Sequence, residues 1–182
     1  MRSRFVVAAV LVGTLAVPAT GEARSFVLKA KGSQNGLGTI RIGDFRPARD
    51  PLLGAAVRAF GATTSRRGGG DVCRVRWAPL GLRMRFQNFG GLDSCDNDGG
   101  RAQKGAIKGD TRWRTPKGLR IGDTVQRLRR LHPNAKRTSR GFRLVEGKLP
   151  FGTPRVRYSV LGARVAAGRV TAFTFFVGAA GD

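Results

Sequence analysis

Val72-Cys73-Arg74-Val75-Arg76-Trp77-Ala78-Pro79-Leu80-Gly81-Leu82-Arg83-Met84-Arg85-Phe86 is the most regularly patterned stretch of the chain, and its alternation predicts two β-strands joined by a tight turn. In a strand every second side chain shares a face. Val75 and Trp77, with Leu82, Met84 and Phe86, form the apolar face, and Arg74, Arg76, Arg83 and Arg85 stand on the other. Arg155 and Arg157 repeat the device within 155–160. Guanidinium groups ranked at strand spacing suit bidentate binding of phosphate or carboxylate. These six arginines are the candidate anion-binding residues. The same pattern also describes a solvated sheet face whose Arg stems cover apolar surface, and the sequence leaves both readings open.

Outward from the hairpin, a second signal is a repeat. Ile40-Arg41-Ile42-Gly43-Asp44 returns 79 residues later as Leu119-Arg120-Ile121-Gly122-Asp123, each time ahead of a helical pattern. Glycine takes backbone angles closed to other residues, so extended chain, Gly, Asp and helix describe a strand-to-helix corner and not a catalytic signature. After the first copy, Asp50 offers an N-cap oxygen, Pro51 suits the first helical position, and Leu52, Leu53, Ala56, Val57 and Phe60 share a face. The spacing predicts a helix over 51–60. After the second, Asp123 is placed to cap a helix with Val125, Leu128 and Leu131 inward, which His132-Pro133 stops.

Further strands are predicted at 26–31, 142–145, 155–160 and 169–177. The intervening 87–118, rich in Gly, Asp, Asn and Lys, reads as an irregular connection, with room for a short strand near 106–108. Arg67-Gly68-Gly69-Gly70-Asp71 reads as a mobile turn. The predicted fold class is therefore α+β: two similar modules, each a strand-Gly-Asp corner and helix followed by antiparallel β-strands. Residues 24–90 form the first, 118–182 the second, and 91–117 a disulfide-tethered connector.

Residues 1–23 have the form of a secretory signal peptide: Arg2 and Arg4 precede an apolar run, and small residues lead to a cleavage point favoured after Ala23. No later run is long and apolar enough to serve as a transmembrane segment in the mature chain. The expected location is secreted or extracellular, including association with the cell wall. In that oxidising setting Cys73 and Cys95, the only cysteines, are expected to form a disulfide. The formal charge is +23, and removing 1–23 takes away Arg2, Arg4 and Glu22 to leave +22. Such a field attracts polyanions in a salt-dependent way. All but seven of the 34 basic residues are Arg, a bias that GC-rich coding also produces with no ligand.

Chemistry-bearing residues are few. The single histidine, His132, sits at a helix end where the dipole favours an imidazolium. Beyond the signal only Glu146 remains as glutamate, and Asp44, Asp50 and Asp123 fall at corners and caps. General acid and base catalysis therefore has almost no candidates, and an enzyme is not expected. Asp96, Asp98 and Gly99 match the middle of a calcium loop, but Ser94 and Gly105 stand where its first and last carboxylates belong. No metal site and no cofactor is expected, and 67–71 is no phosphate-binding loop because it lacks the Lys-Ser/Thr.

The blocks Cys73-Arg74-Val75-Arg76-Trp77-Ala78-Pro79-Leu80-Gly81-Leu82 and Trp113-Arg114-Thr115-Pro116-Lys117-Gly118-Leu119-Arg120-Ile121-Gly122-Asp123 resemble secreted proteins of high-GC Gram-positive bacteria that have no assigned activity. More remotely, the tandem order of Gly corner, helix and strands is similar to the β-lactamase inhibitory protein fold, whose sheet faces a partner. This chain departs from that pattern in having one cysteine pair and a basic sheet face, and no inhibitory residue carries over. The expected function is that of an exported, non-enzymatic basic binding or envelope-associated protein. Its partner would be an anionic envelope polymer, a lipid surface or an acidic protein. Nucleic acid is disfavoured, since no recognition helix, stacking surface or zinc spacing is present. The alternative from the remote resemblance is a protein inhibitor of a secreted enzyme.

Overall fold

The computed structural model describes residues 25–33, 38–88, 90–148 and 157–177. In chain order the elements are β1 (Phe26–Lys31), β2 (Thr39–Ile42), α1 (Leu53–Phe60), β3 (Ser65–Gly69), β4 (Val72–Trp77), β5 (Leu82–Gln87), β6 (Arg101–Lys108), β7 (Trp113–Arg114), α2 (Val125–Leu131), β8 (Lys136–Thr138), β9 (Gly141–Lys148), β10 (Arg157–Ala166) and β11 (Arg169–Phe176). The expected signal peptide, 1–23, lies outside the described residues.

One eight-stranded antiparallel sheet, in the order β3-β4-β5-β6-β11-β10-β9-β8, dominates the molecule. Among the described residues 50% are strand against 13% helix, the latter in two α-helices and one short 3-10 turn, so the protein is mostly β and the expected α+β pair of helix-bearing modules is corrected. The reason lies in β6. Its sequence, RAQKGAIK, is too polar to announce a strand, yet it pairs with β5 on one side and β11 on the other. The strands of both halves are thereby sewn into one sheet. The segment expected to be irregular holds the central strand, longer than the predicted stub near 106–108, and also β7.

Register explains the core. Trp77 lies opposite Leu82, Leu82 opposite Ile107, Ile107 opposite Phe173, Phe173 opposite Ala163 and Ala163 opposite Phe142. Every member of this row across six strands is buried. A covering layer closes over it: the small sheet β2-β1-β7, which supplies Leu28, Ile40, Ile42 and Trp113, and the two helices, which supply Leu53, Ala56 and Leu128. Phe60 packs edge-on to Phe45, Trp77 and Trp113, while Trp113 stacks on Phe26 at 4.6 Å. Both indole N–H groups donate to backbone carbonyls, Trp77 to Gly61 and Trp113 to Leu80, each at 2.9 Å. Buried indoles need such partners.

The repeated pentapeptide is architectural. The Gly43 N–H donates to the Val27 carbonyl and the Gly122 N–H to the Val170 carbonyl, so each copy ties its corner to a neighbouring strand. Both glycines have positive φ, 56° and 94°. The details differ from expectation. Leu119–Asp123 is a turn, not a strand, and Thr124 caps α2 by accepting from the Arg127 N–H. Asp123 instead closes the turn by accepting from the Arg120 N–H at 2.8 Å and pairs with Arg127. Helix α1 starts at Leu53, after an uncapped Leu52, and Asp50 pairs with Arg58 at 2.7 Å. Of the glycine-rich 67–71, Arg67, Gly68 and Gly69 belong to β3, hydrogen-bonded to β4, and Gly70 and Asp71 form the turn between the two strands.

Candidate functional site

The predicted hairpin forms as β4 and β5, and its two faces separate as the alternation requires. Val75, Trp77, Leu82, Met84 and Phe86 are buried, whereas Arg74, Arg76 and Arg83 are exposed and Arg85 is half-buried. Because antiparallel pairing sets these residues directly across from one another, the arginines become rows. Arg67, Arg74, Arg85 and Lys104 follow one another across β3, β4, β5 and β6. Ser65, Arg76, Arg83, Ala106 and Thr174 make the adjacent row, which reaches β11. Strand spacing of about 4.8 Å places a cation about every 5 Å along the first row, and the rows lie roughly 6.6 Å apart.

Between and beside these rows is an open groove of about 750 Å³, bounded on the far side by Phe176, Ser159 and Arg164. Among the described residues no carboxylate lines it. Among the described residues, none of Arg67, Arg74, Arg76, Arg83, Arg85 and Lys104 makes a side-chain hydrogen bond or ion pair. Arg85 Nε is buried without a hydrogen-bond partner. Like-charged side chains at this spacing repel, and an anion placed between them would relieve that repulsion.

The remaining predicted site residues are placed differently. Arg157 does not join the groove: it lies 3.6 Å from Glu146, which also pairs with Lys136 at 3.2 Å and Arg143 at 3.1 Å. Arg155 lies outside the described residues. Cys73 and Cys95 form the expected disulfide, linking β4 to the loop before β6, with Cα atoms 5.0 Å apart. That loop is held further by Arg66, which donates to the Cys95 carbonyl and the Asn97 side chain.

Sequence comparison adds no relative: no family model, curated protein or solved structure matches the chain.

Other candidate chemistry has structural explanations. Asp93 accepts from the Cys95 N–H at 2.7 Å, and among the described residues no three His, Cys, Asp or Glu side chains converge. His132 ends α2 with Nε2 3.1 Å from Thr115 Oγ1. Burial, reinforced by the charge of Lys117, lowers its pKa, so the neutral ring is favoured against the imidazolium expected from the helix dipole. Asp110 is pushed up by burial, but hydrogen bonds from Arg112 outweigh this and leave its pKa below the usual carboxylate value. This pair braces the turn ahead of Trp113.

The sequence pattern missed Arg67, Lys104, Arg164, Ser159 and Thr174. Arg67 and Lys104 were masked by Gly-rich or polar surroundings. Only the register shows that they extend the arginine rows.

Proposed function

We propose that this is an exported, non-enzymatic binding protein that engages an anionic polymer of the cell envelope through the cationic groove. One observation carries this reading: six cations on four adjacent strands face one groove that, among the described residues, no carboxylate lines. A charge bias from coding alone would scatter carboxylate partners and cations alike, whereas here the ion-paired carboxylates Asp44, Asp50, Asp110, Asp123 and Glu146 all pair with cations outside the groove. The disulfide suits an oxidising compartment, and no helix among the described residues is long and apolar enough to cross a membrane.

The test is binding of the oxidised protein to isolated cell envelope as salt is raised, beside an unrelated protein of equal charge and size. A variant with Arg74, Arg76, Arg83 and Arg85 all changed to Gln is compared with one losing Arg46, Arg49, Arg130 and Arg140. Envelope binding that outlasts the control protein's and is lost only with the groove arginines supports the reading. Equal losses in the two variants refute it. Saturable, salt-insensitive 1:1 binding to an extracellular enzyme would instead assign the protein to enzyme inhibition.

A further inference from the structure

The groove changes character along its length. Over β3 to β6 its outward side chains are mainly cations, whereas over β11 and β10 two hydroxyls, Thr174 and Ser159, join Phe176 and a single cation, Arg164, with the hydroxyls placed around Gly162. A Cβ on Gly162 would fall 2.8 Å from Thr174 Oγ1 and 2.9 Å from Ser159 Oγ, so the two hydroxyls converge over the space that the glycine leaves. Ser159 Oγ is buried and makes no hydrogen bond, and Arg85 Nε at the cationic end is in the same condition. Buried polar atoms are nearly always partnered, and an orphan is costly. Both atoms belong to residues that line the groove, so a molecule bound there is a nearby source of partners for them.

Their chemistry differs, and so do the partners they need. Guanidinium and ammonium groups only donate, so the cation rows call for anionic oxygens. A serine or threonine hydroxyl both donates and accepts, and two of them side by side suit another hydroxyl. A bare polyanion would leave the accepting capacity of the cradle unused. A neutral glycan would leave the cations unused. The anion's geometry follows from the paired rows. Arg74 and Arg85 on one side, with Arg76 and Arg83 about 6.6 Å away on the other, address both faces of a chain lying between them. A phosphodiester within the chain offers an oxygen to each row, whereas a carboxylate hanging from one side meets only one. Concavity favours a strand-like ligand over a flat bilayer, and the groove's volume falls in the range of ligand clefts.

We propose that the groove takes a linear sugar- or polyol-phosphate polymer. Its phosphates lie along Arg67, Arg74, Arg85 and Lys104, and a hydroxyl-bearing unit sits in the Ser159–Thr174 cradle over Gly162. This rests on the anion-binding reading of the same groove and adds the chemistry of the repeat.

The experiment measures calorimetric affinity of the oxidised full chain, at fixed ionic strength, for poly(glycerol phosphate), inorganic polyphosphate of matched charge, and polygalacturonate. Ser159→Ala and Thr174→Val are nearly isosteric and remove one hydroxyl each, and thermal melts verify that both fold. The wild-type protein is expected to prefer poly(glycerol phosphate) over polyphosphate. Each substitution is expected to reduce that preference by about three- to tenfold, the worth of one hydrogen bond. No preference, or a preference untouched by both variants, overturns the hydroxyl assignment while leaving the groove as an anion site. Tighter binding of polygalacturonate overturns the phosphate assignment. If none of the three binds more tightly to the wild type than to an Arg74→Gln, Arg85→Gln double variant, the anion-binding reading itself falls.

Discussion

Arg74 and Arg85 stand directly opposite each other across the β4–β5 pair, and neither has a carboxylate partner among the described residues. Arg76 and Arg83 repeat the opposition two pairs along. Like charges directly across a strand pair oppose folding, by roughly 0.2–1 kcal/mol each. Hydrophobic burial beneath them, by Val75, Trp77, Leu82 and Met84, holds the strands together regardless. The cationic rows thus weaken the fold slightly.

Substituting Arg74→Gln is therefore expected to stabilise the free protein at low salt, by about 0.5 kcal/mol. The gain should fade at high salt, where the repulsion is screened. Thermal melts at two ionic strengths check this. A loss of stability at both would mean that packing of the arginine stem outweighs the repulsion.

The disulfide gives a second prediction. Cys73 is fully buried on β4, and its bond to Cys95 closes a separation of 22 residues, anchoring a loop with no strand or helix of its own. Constraining the unfolded chain over such a loop contributes about 3 kcal/mol. A Cys73→Ala, Cys95→Ala double variant should lose stability of that order in urea unfolding. A much smaller loss would show that the Arg66 contacts to Cys95 and Asn97 hold the loop by themselves.

What could be read from the sequence depended on how strongly the period was written. The stretch Val72–Phe86 alternates without a fault, so the hairpin, its two faces and its arginine rank were legible. β6 was not, because Lys104 and Ala106 face the groove while Gly105 leaves room for the Phe175 ring on the core side. With glycine at an inward position, the apolar half of the alternation is missing. A tertiary contact wrote that strand, and with it the union of the two halves. The repeated Gly-Asp corner was legible as a corner, but its similar helices drew attention from the sheet that they only help to cover. Arg157 shows the limit for the site: its spacing matched the arginine pattern, but Glu146 on the neighbouring strand engages it.

Gly81 tests the turn that sets the hairpin's register. It closes the connection in a left-handed conformation, φ 58°, and a Cβ there would lie 2.1 Å from the Lys108 carbonyl oxygen. That carbonyl cannot retreat easily, because the Lys108 N–H also donates to the Gly81 carbonyl at 3.0 Å. Gly122 has positive φ as well, but its added Cβ would meet nothing within 4 Å. Gly81→Ala should therefore cost roughly 2–4 kcal/mol, from backbone strain plus the clash, and Gly122→Ala about 1 kcal/mol from strain alone. Urea midpoints of the two variants in parallel decide it, and equal losses would remove the clash from the account.

The histidine supplies the pH dependence near neutrality. Thr115 is buried and its Oγ1 accepts from the Leu119 N–H, which leaves the hydroxyl proton free to point at the neutral Nε2 of His132. Burial, with Lys117 nearby, holds the folded pKa below the ordinary 6.5. The unfolded chain therefore takes up this proton at a higher pH than the folded one does. Stability contributed by neutral His132 is complete above about pH 6.5, declines as pH falls from there through the folded pKa, and levels off below it. His132→Gln keeps an acceptor for Thr115 but does not titrate. The wild type should lose more melting temperature than this variant between about pH 7.5 and pH 5. Identical losses would show that the histidine proton is not coupled to folding and that other groups set the acid response.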